Sequence, residues 1–376
     1  MALPYYLEFT NHYKRWMHIG FMLVSNTNDR IKVRSTKKLN DKGIARIRAT
    51  VESFESIQRY DRQHQPKRGK RTFSFVSLVM FCIYLEIMGL TYDGDISQNK
   101  LKAMGMPYDR GNRTYLRPSP ARISYFINRE WPLMKDDASS EYVDSVLKAL
   151  PEKRFTIDST PMEASRYSLR YHYSPHYEIR MGKCHIIMCN GYPLVCTFTN
   201  ANESDCLELP KLLDMLPSNI NGVREFTSDG AYASFSNYSS VFSRLNVVMA
   251  SNVAKTSVFH DERSWEYIER LYSRQWKERD YRPRASPLSK LNFLTRKGFD
   301  EPVGMFLRNL DMSRGKRISG MYARSRHVCE TVHHAMKRWM DFDVRGLRKE
   351  SDAQRKSFRF FTAQVLCTVF DPYVEY

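Results

Sequence analysis

The spacing of apolar residues changes at Lys153, and this change limits the folds that the chain can adopt. Between residues 73 and 150 apolar side chains recur at helical spacing, whereas from Lys153 they alternate, with Phe155 and Ile157 on one side. Alternation is typical of a β-strand, because successive side chains of a strand point to opposite faces of its sheet. The sequence therefore predicts a helical N-terminal region followed by a domain that contains a sheet.

The order of elements after this first strand predicts a mixed α/β fold. Two β-rich runs, 184–189 and 192–199, are separated by Asn190-Gly191, a pair that favours a two-residue hairpin turn. Helices and strands then alternate along the chain: helix 209–216, a strand that ends at Asp229, helix 235–245 and strand 246–250. We expect a five-stranded sheet whose first three strands are antiparallel and whose last two are reached through helical crossovers.

The chain has 376 residues, more than one core usually needs, and its patterns divide it into three parts. Residues 1–150 are expected to be a helical, basic region. Residues 151–252 and 313–376 together form the sheet domain. Residues 253–312 hold many basic and aromatic side chains without a clear period, so we expect an insertion between the last strand and the helix of the C-terminal third.

The charge balance indicates the kind of partner. Lys and Arg exceed Asp and Glu by 59 to 41, which gives a formal net charge of +18 and makes nucleic acid the first candidate. An anionic membrane surface fits less well, since the basic residues are spread along the whole chain. The apolar stretch 73–90 contains Ser74, Ser77 and Glu86, so it predicts a buried helix and no membrane span.

The cysteines and the N-terminus predict a cytoplasmic protein. The seven cysteines are odd in number and form no CxxC pair, which favours reduced thiols. Cys184, His185, Cys189 and Cys196 lie on two adjacent predicted strands without zinc-finger spacing, so no structural metal is expected there. The segment 1–8 lacks the basic and apolar regions of a secretory signal.

Three carboxylates occupy three different settings in the sheet domain. Asp158 lies on the first predicted strand, Asp229 ends a later strand, and Glu330 lies on an amphipathic helix. In a mixed sheet of this order the first strand lies beside the one that ends in Asp229, so the two aspartates emerge at one end. Adjacent carboxylates repel each other, and divalent cations remove this cost. Hard oxygen ligands suit Mg²⁺ or Mn²⁺, and two such ions support in-line phosphoryl transfer.

The helix around Glu330 has one apolar and one basic face. At about 100° per residue, Arg326 and Lys337 lie within roughly 40° of Glu330. The opposite side is apolar: Val328, Val332, Ala335, Met336 and Trp339. A ladder of surface salt bridges would give the same pattern. Together with the two aspartates, the pattern favours a catalytic acid, with Arg326 and Lys337 placed to hold a DNA backbone.

A basic and aromatic stripe occurs near the end of the N-terminal region. Ser119-Pro120 is a helix N-cap with proline at the first turn, and Arg122, Tyr125 and Arg129 recur behind it at i, i+3 and i+7. A short helix of this kind, after two other helices, suits the recognition helix of a helix-turn-helix that contacts DNA. An ordinary surface helix of a basic protein would show the same stripe.

Several motifs together resemble the DDE transposases of prokaryotic insertion sequences, in the group with an insertion before the catalytic glutamate. They are Ile157-Asp-Ser-Thr-Pro161, the hairpin 184–200, Asn202-Glu-Ser-Asp205, Ser228-Asp-Gly-Ala-Tyr-Ala-Ser234 and the helix with Arg326, Glu330 and Lys337. That helix carries a tyrosine in the group, but here Ala323 occupies its place, next to Tyr322. The resemblance covers residues 150–376.

This resemblance implies a ribonuclease-H-like catalytic domain in which Asp158, Asp229 and Glu330 hold two Mg²⁺ ions, for which Mn²⁺ can substitute. It implies cleavage at the element's ends and strand transfer into target DNA, by a homodimer bound to double-stranded terminal inverted repeats. Lys183 lies where such proteins often keep a basic residue, so it is either a DNA contact or a surface lysine. The expected location is the nucleoid in a prokaryotic cytoplasm.

Two other functions fit the same residues. A DNA-binding protein descended from a transposase could keep the fold without activity, although the presence of all three acids argues against it. A ribonuclease-H-like metal nuclease that cuts without joining would share the fold and the acids, so only a strand-joining assay separates the two enzymes. A basic structural scaffold fits least well, because it would not need three acids in this order.

Overall fold

The computed structural model describes residues 39–64, 72–90, 92, 94–164, 171–175, 177–232, 234–247, 249–251, 316–340, 342 and 352–370. The predicted insertion 253–312 lies outside the described residues. Among those that are described, no helix combines the length and the apolar character that a membrane span requires.

The N-terminal region is helical, as predicted, apart from one small hairpin. Its elements in chain order are α1 (Asp41–Glu52), α2 (Glu55–Gln63), α3 (Phe75–Met88), α4 (Gln98–Ala103), β1 (Tyr108–Asp109), β2 (Thr114–Tyr115), α5 (Pro120–Tyr125), a π-helical turn (Phe126–Glu130) and α6 (Trp131–Ala149). α3 is buried on almost every side, because nearly all its residues are apolar, and the Ser74 side chain caps its first turn. The buried helix predicted within 73–90 is confirmed.

α5 differs from the short, separate helix that the sequence suggested. Ser119 caps it as predicted, since its Oγ accepts a hydrogen bond from the amide of Arg122 at 3.2 Å. The helix does not stop after Arg129, however, because the π-helical turn leads directly into α6. Pro132 has no N–H group, so it cannot donate a helical backbone hydrogen bond. The wider π-helical turn just before it lets the helix continue without that bond. The stripe 122–129 therefore lies on the first part of a long helix.

The sheet has the predicted order and orientation. Its strands are β3 (Lys153–Glu163), β4 (Tyr173–Ser174), β5 (Ile179–Cys189), β6 (Tyr192–Asn200), β7 (Val223–Ser228) and β8 (Met249–Ser251). They lie in the order β6-β5-β3-β7-β8, with the short β4 paired to the start of β5. β3, β5 and β6 are antiparallel neighbours, whereas β7 and β8 run parallel to β3. Helices α7 (Glu208–Asp214) and α8 (Phe235–Leu245) form the crossovers.

The turn between β5 and β6 confirms the Asn-Gly prediction. Asn190 and Gly191 have φ angles of 49° and 83°, the left-handed values that a tight hairpin turn requires. The Asn190 side chain also accepts a hydrogen bond from Arg154 N at 2.8 Å and donates one to Glu152 O at 3.0 Å. These bonds tie the turn to the start of β3 and so help to fix the register of the central strands.

Two C-terminal helices cover the sheet. α9 (Lys316–Met340) packs on β3, β7 and β8, and α10 (Asp352–Val369) packs between the N-terminal helices and β6. The rings of Phe361 in α10 and Phe54 lie 5.2 Å apart, and Gln364 Nε2 donates to Leu194 O in β6 at 2.8 Å. α10 therefore packs against both the described helices of the N-terminal region and the sheet domain.

Candidate active site

Asp158 and Asp229 follow paired residues on neighbouring strands. β3 and β7 are in parallel register through Ile157 and Ser228, and the aspartates are the next residues along each strand direction. Each carboxylate accepts a hydrogen bond from the amide of the following residue, at 2.8 Å for Asp158 Oδ1 and 2.6 Å for Asp229 Oδ1. The register therefore brings the two acids to the same end of the sheet.

α9 places Glu330 over this end of the sheet. Cys329 Sγ lies 3.1 Å from Thr156 Oγ1, and His333 Nδ1 lies 3.8 Å from Asp158 Oδ2, so the helix touches β3 just before and just after Glu330. The side chain of Glu330 is exposed. The five residues predicted for the opposite, apolar face are all buried: Val328, Val332, Ala335, Met336 and Trp339. The amphipathic packing of this helix is confirmed.

His333 is an uncharged group at this site. Burial, with a smaller effect of the Lys337 ammonium, lowers the pKa of its imidazole to about 3. A neutral imidazole forms no ion pair, so its 3.8 Å separation from the Asp158 carboxylate is a packing contact. Its Nε2 is buried without a hydrogen-bond partner among the described residues.

A buried polar network holds the turn that follows Asp229. His185 of β5 is fully buried, with Nδ1 2.7 Å from Tyr232 Oη and Nε2 2.8 Å from Thr199 Oγ1. Tyr232 ends the 3-10 turn Gly230–Tyr232, directly after Asp229. Burial raises the pKa of Tyr232 well above its usual range and lowers the pKa of His185, so both groups stay uncharged.

This pair was not predicted from the sequence. His185 and Tyr232 are 47 residues apart, and no spacing rule joins a strand histidine to a tyrosine in a later turn. The one available signal was the tyrosine within the motif that begins at Ser228, which carried part of the family resemblance.

A second set of contacts holds the residue that follows Asp158. Ser159 Oγ donates to Asp205 Oδ2 at 3.1 Å, and Lys183 Nζ donates to Asp205 Oδ1 at 2.5 Å and to Glu203 O at 2.7 Å. The side chains of Lys183 and Asp205 expose only 16% and 13% of their surface. Lys183 thus ties β5 to the segment 203–205 that follows β6, and a DNA contact by Lys183 stays a prediction.

The predicted DNA-binding residues near α5 differ in their exposure and in their ion pairing. Tyr125 and Arg129 are exposed, as a recognition surface requires. Arg122 Nη1 instead lies 2.6 Å from Glu130 Oε2 in a partly buried ion pair. The carboxylate neutralises much of the Arg122 charge at the surface, so Tyr125 and Arg129 are the more accessible members of the predicted stripe.

The donor set at the end of the sheet fits a hard divalent cation by its chemistry. Asp158, Asp229 and Glu330 offer carboxylate oxygens, which are the ligands that Mg²⁺ prefers in proteins. In the part of the chain that the structure describes, no group of three or more His, Cys, Asp or Glu side chains is close enough together to hold a metal ion. Asp158 and Asp229 thus lie at one end of the sheet and Glu330 lies on the helix that packs on it, but among the described residues the three do not form a ligand set.

A mixed sheet in this order, with acids at the ends of two neighbouring strands and on a covering helix, defines a ribonuclease-H-like domain of the DDE class. The family model described as Transposase DDE domain matches residues 150–366, which is more than half of the chain. The chain therefore belongs to the DDE transposase family, and the resemblance of its motifs to DDE transposases is confirmed. No match to the chain was found among curated proteins or among solved structures.

Proposed function

We propose that this protein cleaves the ends of a prokaryotic insertion sequence and joins them to target DNA, with Asp158, Asp229 and Glu330 as catalytic acids. The observation that carries the proposal is the parallel register of β3 and β7, which sets Asp158 beside Asp229 beneath α9. The family match supports transposase chemistry in general. The net charge of +18 supports a DNA substrate, because basic side chains neutralise phosphates.

The three acids would hold two Mg²⁺ ions, or Mn²⁺ in their place. Such ions, when bound, activate the attacking hydroxyl and stabilise the leaving oxygen of an in-line displacement. The chain itself orients the acids: the amides after Asp158 and Asp229 hold one oxygen of each carboxylate, and the contact between Tyr232 and His185 fixes the turn behind Asp229. Arg326 and Lys337, on either side of Glu330 along α9, would hold the phosphates of the substrate.

The proposed reaction has two steps. In cleavage, water attacks the phosphorus at the element end, the bond to the 3′-oxygen breaks, and a free 3′-hydroxyl remains. In strand transfer, this hydroxyl attacks a phosphorus of the target and displaces the 3′-oxygen of the target strand. Two ends must be handled together, so we propose a homodimer on DNA, with terminal-repeat recognition by the N-terminal region that carries Arg122, Tyr125 and Arg129.

A cleavage and strand-transfer assay tests this proposal. The substrate is duplex DNA with the terminal repeats found beside the gene, and the reaction is run with and without Mg²⁺. Asp158→Ala, Asp229→Ala and Glu330→Ala are each expected to abolish cleavage while end binding persists. Asp144→Asn, which removes an exposed carboxylate from α6, serves as the matched control and should cleave like the unaltered protein.

The outcomes separate the competing functions. Cleavage followed by joining, lost in all three variants, supports the transposase. Cleavage without joining identifies a metal nuclease with the same fold. Binding without cleavage identifies a DNA-binding protein descended from a transposase. Full cleavage by any one of the three alanine variants would remove that residue from the catalytic set.

A further inference from the structure

The hairpin formed by β1 and β2 has an exposed turn, residues 110–113, whose backbone is held by side-chain hydrogen bonds. Asp109 caps its turn, because its carboxylate accepts hydrogen bonds from Gly111 N at 2.9 Å and from the Asn112 side chain at 2.7 Å. Gln98 of α4 braces its second strand through both hydrogen-bonding groups of the Tyr115 backbone, at 2.5 and 3.3 Å. The backbone of the turn is therefore held in place before any ligand arrives.

Two arginines flank the tip of this hairpin, and both are accessible. Arg110 and Arg113 are exposed, and neither forms an ion pair or hydrogen bond through its side chain with the described residues. Three other arginines of the N-terminal region are paired with carboxylates instead: Arg48 with Glu52, Arg59 with Asp137 and Arg122 with Glu130. The hairpin tip thus presents two guanidinium groups that no described residue pairs with.

The backbone at Arg113 is unfavourable for an arginine. Its φ of 50° lies in the left-handed region, which suits glycine or asparagine and is rare for a long side chain. Gly111 and Asn112, two residue types that tolerate this region, lie in the same turn, yet the left-handed position is occupied by arginine. A strained residue whose side chain forms no ion pair or hydrogen bond with the described residues is a reason to look for a function outside the fold.

We propose that the hairpin is a DNA-binding element that inserts Arg110 and Arg113 into a narrow, A·T-rich minor groove. The minor groove is too narrow for a helix, but arginine side chains enter it readily, and its negative potential is strongest where A·T pairs narrow it. The inference rests on the proposed action on DNA, and it adds a second contact surface to the predicted stripe on α5.

Three duplexes that differ only in a central tract test the proposal by fluorescence anisotropy on the full-length protein. The tract consists of A·T, I·C or G·C pairs. I·C pairs resemble G·C pairs in the major groove but lack the amino group that G·C pairs place in the minor groove. The unaltered protein should bind the A·T and I·C duplexes more tightly than the G·C duplex. Arg110→Ala/Arg113→Ala should weaken binding to the A·T duplex about tenfold and remove this preference.

Two further variants separate a DNA contact from loss of charge or of folding. Arg62→Ala/Lys148→Ala removes two exposed positive charges from α2 and α6, and it should keep the preference for A·T and I·C tracts. Arg113→Asn relieves the left-handed strain, so its melting temperature should stay equal or rise while the preference falls. If Arg113 served only to stabilise the fold, Arg113→Asn would not raise the melting temperature while it lowered the preference for A·T and I·C tracts.

Several results would overturn the proposal. Equal binding of the unaltered protein to all three duplexes would exclude the minor groove as the site. A preference that survives in Arg110→Ala/Arg113→Ala would exclude the hairpin, even if cleavage is normal and the proposed function stands. Failure of the unaltered protein to bind any duplex would instead remove the proposed action on DNA, and this inference with it.

Discussion

A hydrogen bond between two uncharged groups holds the turn that follows Asp229. A buried hydroxyl and a buried imidazole both need partners, because an unpaired buried polar group costs about 1–3 kcal/mol. Tyr232 and His185 satisfy each other at 2.7 Å. Their contact joins the turn after Asp229 to β5, which pairs with β3 through Ile186 opposite Asp158. The relative position of the two carboxylates therefore depends on a contact in which neither takes part.

Tyr232→Phe tests this dependence by removing a single hydroxyl. We expect the free energy of unfolding to fall by about 1–3 kcal/mol, because His185 Nδ1 loses its partner. We also expect cleavage to fall more than DNA binding, since a loosened turn displaces Asp229 from its productive position. Denaturation curves, cleavage rates and binding titrations measure the three quantities. Tyr173→Phe, at an exposed tyrosine of β4, is the control, and equal behaviour of the two variants would contradict the positioning role.

Lys183 can be assigned to one of two roles by a single substitution. In the structure it pairs with Asp205, so Lys183→Ala leaves a poorly exposed carboxylate without its counter-ion. We expect the free energy of unfolding to fall by about 1–3 kcal/mol, with an unchanged salt dependence of DNA binding. A DNA contact would show the reverse: unchanged stability, and a slope of log affinity against log salt reduced by about one. Urea denaturation and binding at several salt concentrations decide between them.

The acids could be proposed from sequence because each has a local signature, whereas the contacts that support them could not. An aspartate at a strand end or a glutamate in a basic helical stripe is visible in a short window of residues. The contacts of His185, Asp205 and Lys183 exist only once β5 lies beside β3. They follow from tertiary packing, which one sequence does not reveal.

Among helices, strands and turns, the sequence predicted correctly those that depend on neighbouring residues alone. The Asn190-Gly191 turn fixes its hairpin through backbone angles that other residues rarely adopt, and it was predicted correctly. The sequence did not predict that α5 continues into α6, because a proline such as Pro132 usually interrupts a helix. Trp131 Nε1 donates to Ser357 Oγ at 2.9 Å, a contact 226 residues away in sequence that holds the continuous helix in place.

Gly222 directly precedes β7, and its substitution tests whether the backbone there sets the register between β7 and β3. Its φ is 76°, and an added Cβ would lie 2.4 Å from the carbonyl oxygen of Pro151. Its own carbonyl accepts from Lys153 N at 2.8 Å, at the start of β3. Gly222→Ala should therefore cost more than the roughly 1–2 kcal/mol of a left-handed alanine, and it should reduce cleavage by shifting β7 against β3.

The control for Gly222→Ala is Gly111→Ala, measured by the same denaturation experiment. A Cβ on Gly111 meets only Asp109 Oδ1, at 3.4 Å, which is an ordinary contact. Its substitution should change the free energy of unfolding by less than about 1 kcal/mol. Similar losses for the two variants would show that the register of β7 does not depend on the close approach at Gly222.

At the scale of the whole molecule, α10 joins the N-terminal helices to the sheet. It contacts α1, α3 and α6 on one side and β6 on the other, and its apolar residues belong to the same core as both. The division at residue 150 was predicted from a change in periodicity, which reports local structure. A local pattern cannot predict that α10, near the C-terminus, packs against both the N-terminal helices and the sheet. α10 therefore makes the packing of the N-terminal helices and that of the sheet parts of one core.

A buried ion pair also links α3 to α10 at this junction. Glu86 of α3 and Arg359 of α10 expose only 7% and 4% of their side chains, with Arg359 Nε 3.1 Å from Glu86 Oε2. Arg355 Nε lies 3.4 Å from the other carboxylate oxygen. A buried charge that loses its partner is costly, so Glu86→Ala should lower the free energy of unfolding by about 3–5 kcal/mol.

A double-mutant cycle separates the pairing from the burial. Glu86→Met/Arg359→Met replaces both charges with apolar groups of similar size, so it should cost far less than the sum of the two single methionine variants. Arg48→Ala, which breaks an exposed pair within α1, should cost about 0.5 kcal/mol or less and serves as the control. Urea denaturation followed by fluorescence and by circular dichroism gives each free energy. If Glu86→Ala cost no more than Arg48→Ala, the ion pair would not be what couples α3 to α10, and the aromatic contacts of Phe361 and Trp131 would have to carry the junction alone.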